Sequence, residues 1–224
     1  MSRAAILWTG GKDSTLAWLR MRDELDVVEL VTFVPEPARP FLAHPLECAR
    51  AQARSIGLAH RELTVREPYE AGYEAAIQTL ADEGIEVLVT GDMDRVHGHD
   101  SWIVERARGR AEVVRPLWKA DRIEILRELA RHEVQAICTL ARNDTPAREL
   151  VGQMLDAERI EGLVAAHGED GFDACGENGE FHTCVLWAPG FQDRLELETA
   201  GTEDLGWATR LVVEGVTTTP RESA

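Results

Sequence analysis

Short apolar runs alternate with longer amphipathic runs over about the first 140 residues of the chain. The first three pairs are AAILW and STLAWLRMRDEL, VVELVTFV and PLECARAQARSIG, and HRELTV and YEAGYEAAIQTLADEG. A short apolar run predicts a buried strand, and apolar positions three or four residues apart predict a helix. Strands separated by helices pair in parallel through right-handed crossovers, with helices covering both faces of the sheet. The sequence therefore predicts an α/β fold built on a doubly wound parallel sheet.

The alternation continues to residue 141, and beyond it the pattern changes. The alternation first continues through strands predicted at 85–90, in EVVRPL and in QAICTLA, with helices predicted at 101–108 and in DRIEILRELARHEV. After residue 141 come a polar turn, the helical stretch ELVGQMLDAERIEGLVAAHGED, and three strand-like stretches, FHTCVLWAP, RLELETAG and ATRLVVEGV. We therefore predict an α/β domain at residues 1–142 and a smaller region at 143–224 that forms a lid or a substrate-binding extension. The tail from Thr217 is predicted to fray.

Composition argues against two classes of partner. Apolar residues make up 44% of the chain and charged residues 29%, as in globular proteins. No run approaches the roughly 18 apolar residues of a membrane helix, and the first apolar run is too short for a signal peptide. We therefore expect a cytoplasmic protein with no membrane partner. The net charge of −16 repels nucleic acid, and the longest basic cluster, Arg106, Arg108 and Arg110, is typical of an exposed helix end.

The sequence says less about the cysteines and about the oligomeric state. Cys48, Cys138, Cys175 and Cys184 are scattered, with no C-x-x-C pair. This spacing is typical of reduced thiols rather than of a disulfide framework or a zinc site. The edges of a parallel sheet and several tryptophans are compatible with a homodimer, but no residue pattern specifies its interface.

The stretch WTGGKDST, at residues 8–15, lies between the first predicted strand and the first predicted helix. Glycines there let the backbone turn with its amides exposed, and a helix N-terminus adds unpaired N–H groups and a positive dipole end. Lys12 adds a mobile charge, Ser14 and Thr15 add hydroxyl donors, and Asp13 can hold a Mg²⁺ that bridges phosphate oxygens. The pattern matches neither the Walker A nor the Rossmann glycine motif. An ordinary turn with Asp13 or Ser14 capping the helix is the alternative, but the position after the first strand favours nucleotide binding.

A second polar stretch, GENGEFHT at residues 176–183, precedes a predicted strand. Asn-Gly is a strong turn dipeptide, so one interpretation is a tight loop with Glu177 and Glu180 as solvated acids. The other is a site for a cationic group or for ammonia. A carboxylate can orient an amine and take a proton from ammonium as the neutral nucleophile attacks. The sequence leaves open which glutamate does so.

A third stretch, TGDMDRVHGHDSW at residues 90–102, is rich in side chains that bind metals. These are Asp92, Asp94, His97, His99 and Asp100. No helix-spaced H-E-x-x-H frame accompanies them, so a dedicated transition-metal site is not favoured. Trp102 and Trp118 are more typical of core or interface packing than of ligand stacking.

Four stretches together resemble one known family. They are TGGKDS at 9–14, TGDMDRVHGHDSW at 90–102, RPLWKADRIEILREL at 115–129 and DACGENGEFHT at 173–183. The first resembles the SGGxDS pyrophosphate loop of the N-type ATP pyrophosphatases, or PP-loop superfamily, with Thr9 in place of the usual serine. In this order the four stretches are similar to the diphthine-ammonia ligase family, in a compact prokaryotic form.

The resemblance implies a HUP-like fold and a set of binding residues. ATP would be bound by Thr9, Gly10, Gly11, Lys12, Asp13 and Ser14, with Gly91 and Asp92 ending a strand that faces this loop. Asp13 would hold Mg²⁺. The acceptor would be bound by Gly176, Glu177, Asn178, Gly179, Glu180, Phe181, His182 and Thr183, which correspond to a GEGGEYET-like motif. The catalytic residues implied are Lys12, Asp13, Glu177 and Glu180.

This chain departs from the common form of that motif at two positions. Phe181 lacks the phenol hydroxyl of the usual tyrosine, and His182 replaces an acid. If the tyrosine binds substrate, that contact is absent here and the specificity differs. His44, which precedes Pro45, also matches a histidine position of the family.

The activity implied is that of an ATP-dependent carbon-nitrogen ligase. Such an enzyme adenylates a carboxylate, releases pyrophosphate, and transfers ammonia or an amine. The family acceptor is diphthine on translation elongation factor 2 in eukaryotes and archaea, whereas bacterial members must act on another carboxylate. Two alternatives are an ATP-binding sensor of the universal stress protein type and an RNA-modifying PP-loop enzyme. The first would leave GENGEFHT without a role, and the second would need a basic platform or paired cysteines.

Overall fold

The computed structural model of this protein describes residues 1–37, 41–95 and 102–220. They group into two compact units. Unit 1 contains residues 1–9, 13–40 and 58–119, and unit 2 contains residues 10–12, 41–57 and 120–224. Each unit therefore combines segments that are distant in the sequence, and the division passes twice through the glycine loop.

The described residues form nine strands and six α-helices. The strands are β1 (Arg3–Leu7), β2 (Asp26–Glu36), β3 (Ala59–Arg66), β4 (Val87–Val89), β5 (Glu112–Val114), β6 (Gln135–Arg142), β7 (Phe181–Trp187), β8 (Asp193–Asp204) and β9 (Ala208–Pro220). The helices are α1 (Lys12–Met21), α2 (Leu46–Ile56), α3 (Tyr69–Asp82), α4 (Trp102–Ala107), α5 (Arg122–Arg131) and α6 (Ala157–Ala166). Over the described ranges, none of these helices has the length and apolar character needed to cross a bilayer.

Unit 1 is built on a five-stranded parallel sheet in the order β3-β2-β1-β4-β5. From β1 the chain moves outward to β3, then returns to the other side of β1 for β4 and β5. This reversal is the defining feature of a doubly wound sheet, so the predicted fold class is confirmed. Its buried apolar core comprises Ala5, Val31, Ile77, Leu80, Ile85, Leu88, Ile103 and Ala107.

Unit 2 contains a separate four-stranded antiparallel sheet in the order β7-β6-β9-β8. Helix α2 packs against three of its strands, β7, β8 and β9. The apolar side of α2 carries small residues, which let the helix approach the strands closely. Although α2 connects β2 to β3 along the chain, it belongs to unit 2.

The structure corrects the prediction that QAICTLA ends the parallel sheet. This stretch forms β6, which pairs antiparallel with β7 and β9. A short apolar run fits a buried strand of either kind, and its partners here lie 40 to 70 residues further along the chain, beyond the reach of local pattern. The assignment of ATP binding to residues 1–142 and of acceptor binding to 143–224 concerns ligands and stays a prediction.

Two further boundaries differ from the expected ones. The helical stretch predicted at 149–170 is divided into a 3₁₀ turn at Pro146–Leu150 and α6. Gly152 has φ +79° and breaks the helical path, and Asp156 starts a new helix by accepting a hydrogen bond from the amide of Arg159 at 3.0 Å. The tail predicted to fray from Thr217 instead continues β9 to Pro220, because β8 pairs with it throughout.

Candidate active site

The glycine loop follows the buried end of β1 and leads into α1, and its residues Thr9, Asp13 and Ser14 belong to unit 1. The Trp8 amide donates to the Val31 carbonyl at 2.7 Å, which holds the exit of the strand. The hydroxyls of Thr9 and Ser14 lie 3.2 Å apart, and Asp13 belongs to the first turn of the helix. The predicted arrangement of strand, glycine turn and helix is therefore present, with hydroxyls and an acid at a helix N-terminus.

Gly91 follows β4 and approaches this helix start closely. A Cβ atom at Gly91 would lie 2.7 Å from the carbonyl carbon of Asp13 and 2.8 Å from the Ser14 nitrogen. Only glycine allows such an approach, since contacts this short displace the backbone. The Asp92 carboxylate accepts a hydrogen bond from the Thr90 hydroxyl at 2.8 Å. The loop and Gly91 lie beyond neighbouring strands β1 and β4, where the strand order reverses and doubly wound sheets bind ligands.

In unit 2, Gly10 is fixed through its carbonyl oxygen. Gly10 has φ +77°, a conformation that side chains disfavour. Its carbonyl accepts hydrogen bonds from the Val185 amide and from Nε2 of Gln52, each at 2.9 Å. Gln52 Nε2 also donates to the Val185 carbonyl at 2.7 Å. A helix side chain and a strand together therefore set the course of the glycine loop.

The sequence predictions did not include Gln52. Its side chain is fully buried on the inner face of α2, where its neighbours are small residues. The available signal was a lone amide on the apolar side of an amphipathic helix. A buried amide requires partners, so its position indicates a structural contact of this kind.

Lys12 is buried, with 2% of its surface exposed, which corrects the expectation of a mobile charge. Its ammonium group donates to the Cys175 carbonyl and lies 5.2 Å from the centre of the Phe181 ring. Its backbone amide donates to Oγ1 of Thr183 at 3.0 Å. A carbonyl and an aromatic face compensate a buried cation, and they confine it in one position.

The segment at 173–183 forms the tight loop that one interpretation predicted, but Glu180 is not a solvated acid. Only 3% of Glu180 is exposed. Its carboxylate accepts hydrogen bonds from the backbone amides of Asp173 at 3.0 Å and Asn178 at 2.9 Å. Glu177 is partly exposed instead. The two acids thus have different environments, and Glu180 organises the loop.

An ion pair holds the start of the same loop. Arg122 Nε donates to Oδ2 of Asp173 at 2.8 Å, and both side chains are largely buried. Oδ1 of Asp173 accepts a hydrogen bond from the Cys175 amide at 2.8 Å. These contacts fix the Cys175 carbonyl that receives the Lys12 ammonium group.

Two histidines of unit 2 are held in the neutral form. Burial, with the nearby His182 and Lys12, lowers the pKa of His44 to about 3, although a hydrogen bond to the Thr183 backbone acts in the opposite direction. Burial and Lys12 lower the pKa of His182 to about 4, against the effect of Glu180. Both rings are therefore acceptors as well as donors at neutral pH.

The acid and histidine stretch and the two tryptophans are the remaining predicted residues. His97, His99 and Asp100 of the acid and histidine stretch lie outside the described residues. Within the described ranges, no group of three or more acids, histidines and cysteines is placed to hold a metal ion. Trp102 packs on Tyr73 with ring centres 4.3 Å apart, and Trp118 packs under the Arg115 guanidinium at 3.7 Å, so both tryptophans make packing contacts.

Known proteins match this chain at the level of domains. The model of the diphthamide synthase N-terminal domain matches residues 2–109, and that of the diphthamide synthase C-terminal domain matches residues 121–215. The chain belongs to the diphthamide synthase family. Membership supports ATP binding and ligase chemistry, and the glycine loop and the acidic loop each lie inside one of the two matched domains.

The likeness of this diphthamide synthase family member to a solved structure is weaker than its match to the family domains. One crystal structure, described as a predicted subunit of tRNA methyltransferase from Methanocaldococcus jannaschii, is similar to it with a TM-score of 0.45 and 19% identity. The similarity covers 84% of this chain and 98% of that chain. No curated protein matches the sequence.

The four cysteines of this family member are buried free thiols. Burial raises the pKa of Cys138 to about 12. A hydrogen bond with Cys48, together with burial, raises the pKa of Cys184. Thiols of this kind are poor nucleophiles, because the thiolate is the reactive form.

Proposed function

We propose that this protein is an ATP-dependent amide ligase that adenylates a carboxylate, releases pyrophosphate and transfers ammonia or an amine. One observation carries the proposal. In unit 2, Lys12 of the glycine loop is hydrogen-bonded to Thr183 and to the Cys175 carbonyl. Within unit 2, a residue of the loop expected to bind phosphates is thus in direct contact with the loop expected to bind the acceptor. A nucleotide sensor does not require that connection.

The residues of the glycine loop fit a triphosphate and its metal ion. Thr9, Gly10, Gly11, Lys12, Asp13 and Ser14 would bind the phosphates. The support is the helix N-terminus, the paired hydroxyls of Thr9 and Ser14, and the space that Gly91 leaves beside Asp13. Asp13 is the ligand that we assign to Mg²⁺, which when bound neutralises charge on the leaving pyrophosphate.

The acidic loop would bind the acceptor and the nitrogen nucleophile. Glu180 is engaged with two backbone amides, so we assign the proton-accepting role to Glu177. A carboxylate there would take a proton from the attacking nitrogen as the amide bond forms and AMP leaves. The buried Lys12 ammonium contributes a fixed positive charge to the same loop.

For the acceptor, the family points to diphthine on translation elongation factor 2 if the protein is archaeal, and to another carboxylate if it is bacterial. Diphthine would be amidated to diphthamide. No nucleic acid partner is proposed, because the net charge of −16 opposes binding to phosphates. A homodimer stays a prediction.

The test is the formation of AMP and pyrophosphate. Purified protein would be incubated with ATP, Mg²⁺, ammonium chloride, and either diphthine-bearing elongation factor 2 or a panel of small carboxylates. Acceptor-dependent AMP supports the ligase. Binding of ATP without AMP in the presence of every acceptor would support the sensor, and AMP formed only with RNA would support the RNA-modifying enzyme.

The variant Asp13→Ala tests the phosphate loop. We expect the rate of pyrophosphate release to fall at least about 100-fold, as when one preorganised charge is removed from a transition state. Asp23→Ala is the matched control, because Asp23 is an exposed acid shortly after the same helix. Circular dichroism would establish that both variants are folded. Full turnover by Asp13→Ala would refute the assignment of Asp13.

A further inference from the structure

Two histidines to which no proton transfer or phosphate contact has been assigned face each other in unit 2. The rings of His44 and His182 lie edge to face, with centres 5.0 Å apart and planes at 82°. His182 lies on β7, and His44 precedes α2. The hydroxyl of Thr139 donates to the carbonyl of Ala43 at 2.6 Å, which holds the segment that carries His44. The pair is therefore fixed on both sides.

One ring nitrogen of this pair has an unsatisfied hydrogen-bonding capacity. Nδ1 of His44 is buried and has no hydrogen-bond partner among the described residues. The ring also hydrogen-bonds to the Thr183 backbone, and because Nδ1 has no partner we assign that bond to Nε2. A neutral ring that donates at Nε2 carries its lone pair at Nδ1, so Nδ1 can only accept a hydrogen bond. A buried acceptor of this kind requires a donor, and the described residues supply none.

We infer that Nδ1 of His44 accepts an N–H of the nitrogen nucleophile, so that His44 and His182 form the ammonia site of the ligase. The inference rests on the proposed function. Thr183 connects this site to the glycine loop, because its Oγ1 accepts the Lys12 amide at 3.0 Å and its backbone binds the His44 ring. The nucleophile would thus be held next to Thr183, which contacts Lys12 of the glycine loop.

The charges around the pair favour neutral ammonia over ammonium. The charged or titratable groups that act on the two rings are the rings themselves, Lys12 and Glu180. Lys12 is a buried cation and Glu180 is engaged with backbone amides, so a second cation would gain little. Ammonia carries N–H donors without a charge and needs no counter-ion.

The inference can be tested by nitrogen NMR of the histidine rings, independently of ligase activity. The ¹⁵N-labelled full-length protein would be titrated with ammonium chloride at two pH values, about 7 and about 9. Tetramethylammonium chloride, which has the same charge and no N–H, is the control titration. His44→Gln identifies the His44 signals, with His182→Gln as a second variant. His60 is the internal control, because its Nε2 already lies 2.8 Å from the Thr32 hydroxyl.

We expect a saturable shift of the His44 Nδ1 resonance with ammonium chloride and no shift at His60 or with tetramethylammonium. The apparent affinity for total ammonia should rise with pH, in proportion to the unprotonated fraction. No shift at His44, or an equal shift with tetramethylammonium, would overturn the inference. An affinity that does not change with pH would show that ammonium binds, and would overturn the assignment of neutral ammonia.

A kinetic measurement applies once an acceptor is found. In the AMP assay, His44→Gln should raise the ammonia concentration for half-maximal rate about tenfold, the effect of losing one hydrogen bond, with little change in the maximal rate. A fall in the maximal rate alone would contradict a binding role. If His44 shows the shift but no acceptor supports AMP formation, the ligase proposal fails. If an acceptor supports AMP formation but His44 shows no shift, only the ammonia site fails.

Discussion

Unit 2 contains two glycine turns that are stabilised in opposite ways. At Gly10, the backbone offers a carbonyl, and donors from a distant helix and strand bind it. In the segment 173–180, which contains Gly176 and Gly179, the backbone offers the amides of Asp173 and Asn178, and the carboxylate of Glu180 binds them. The first turn therefore depends on residues far away in the sequence, whereas the carboxylate that binds the amides of the second comes from the same segment, although Arg122 also pairs with Asp173 at its start. Each half of this comparison can be tested by substitution.

The largest effect is expected at Glu180. Glu180→Ala removes the acceptor of two backbone amides, and hydrogen bonds to a charged group are each worth about 1.5–3 kcal/mol, so we expect a loss of about 4 kcal/mol in the free energy of unfolding. Glu177→Ala is the matched control, with an expected loss below about 1 kcal/mol because Glu177 is partly exposed. Urea unfolding followed by circular dichroism measures both. Equal losses would show that Glu180 does not hold the loop.

A pair of glycine substitutions compares the two turns directly. Gly10 and Gly179 have similar backbone conformations, with φ +77° and +80°. A Cβ at Gly10 would lie 2.4 Å from Oε1 of Gln52, whereas nothing lies within 4 Å of one at Gly179. We expect Gly10→Ala to cost about 3 kcal/mol, from strain and overpacking together, and Gly179→Ala about 1 kcal/mol from strain alone.

The same urea experiment measures this pair. Gly10→Ala should also lower the rate of AMP formation, because the backbone of the phosphate loop shifts. Similar costs at the two glycines would mean that Gln52 moves aside easily, and the first turn would then not depend on its distant contacts.

Gln52→Leu removes the side-chain donor of the first turn while keeping its approximate volume. The Val185 carbonyl loses a partner and Gly10 keeps only the Val185 amide, so we expect a loss of about 2 kcal/mol. Gln192→Leu is the control, since Gln192 is an exposed glutamine of the same unit. An unchanged midpoint in urea for Gln52→Leu would show that Val185 alone fixes Gly10.

The last prediction concerns pH, and its effect on the free energy of unfolding is small when measured over a single pH unit. His44 and His182 have folded pKa values of about 3 and about 4, below the ordinary 6.5. The unfolded chain therefore binds protons first as pH falls, so stability is full above pH 6.5 and is lost between about pH 6.5 and 3. Each histidine contributes a slope of up to about 1.4 kcal/mol per pH unit there. His44→Gln and His182→Gln should each reduce the slope, and an unchanged slope would contradict buried neutral rings.

Local signals in the sequence predicted the parts of the structure that local physics determines. The alternation of apolar and amphipathic runs predicted the parallel sheet, and the glycines between β1 and α1 predicted the turn of the glycine loop. The family resemblance implied that Gly91 ends a strand facing this loop, and Gly91 does follow β4 and approach the start of α1 closely. These features depend on residues near each other in the chain or on a regular crossover.

Contacts between distant residues account for what the sequence did not predict. The antiparallel pairing of β6, the burial of Lys12 against Cys175 and the contact of Gln52 with Gly10 all join residues at least 40 positions apart. The type of residue alone was also misleading at Glu180. A glutamate in the sequence can be exposed or buried. Glu180 is buried because its carboxylate accepts hydrogen bonds from the amides of Asp173 and Asn178, which the sequence does not show.

The discontinuous make-up of unit 2 has a practical consequence for dividing this protein into pieces. A fragment that starts at Ala120 would lack α2, which packs on β7, β8 and β9. Apolar strand surface would then face water, and such surfaces promote aggregation. The C-terminal family domain is therefore not a portable module for gene fusion or separate expression, because part of its interior is encoded near the start of the chain.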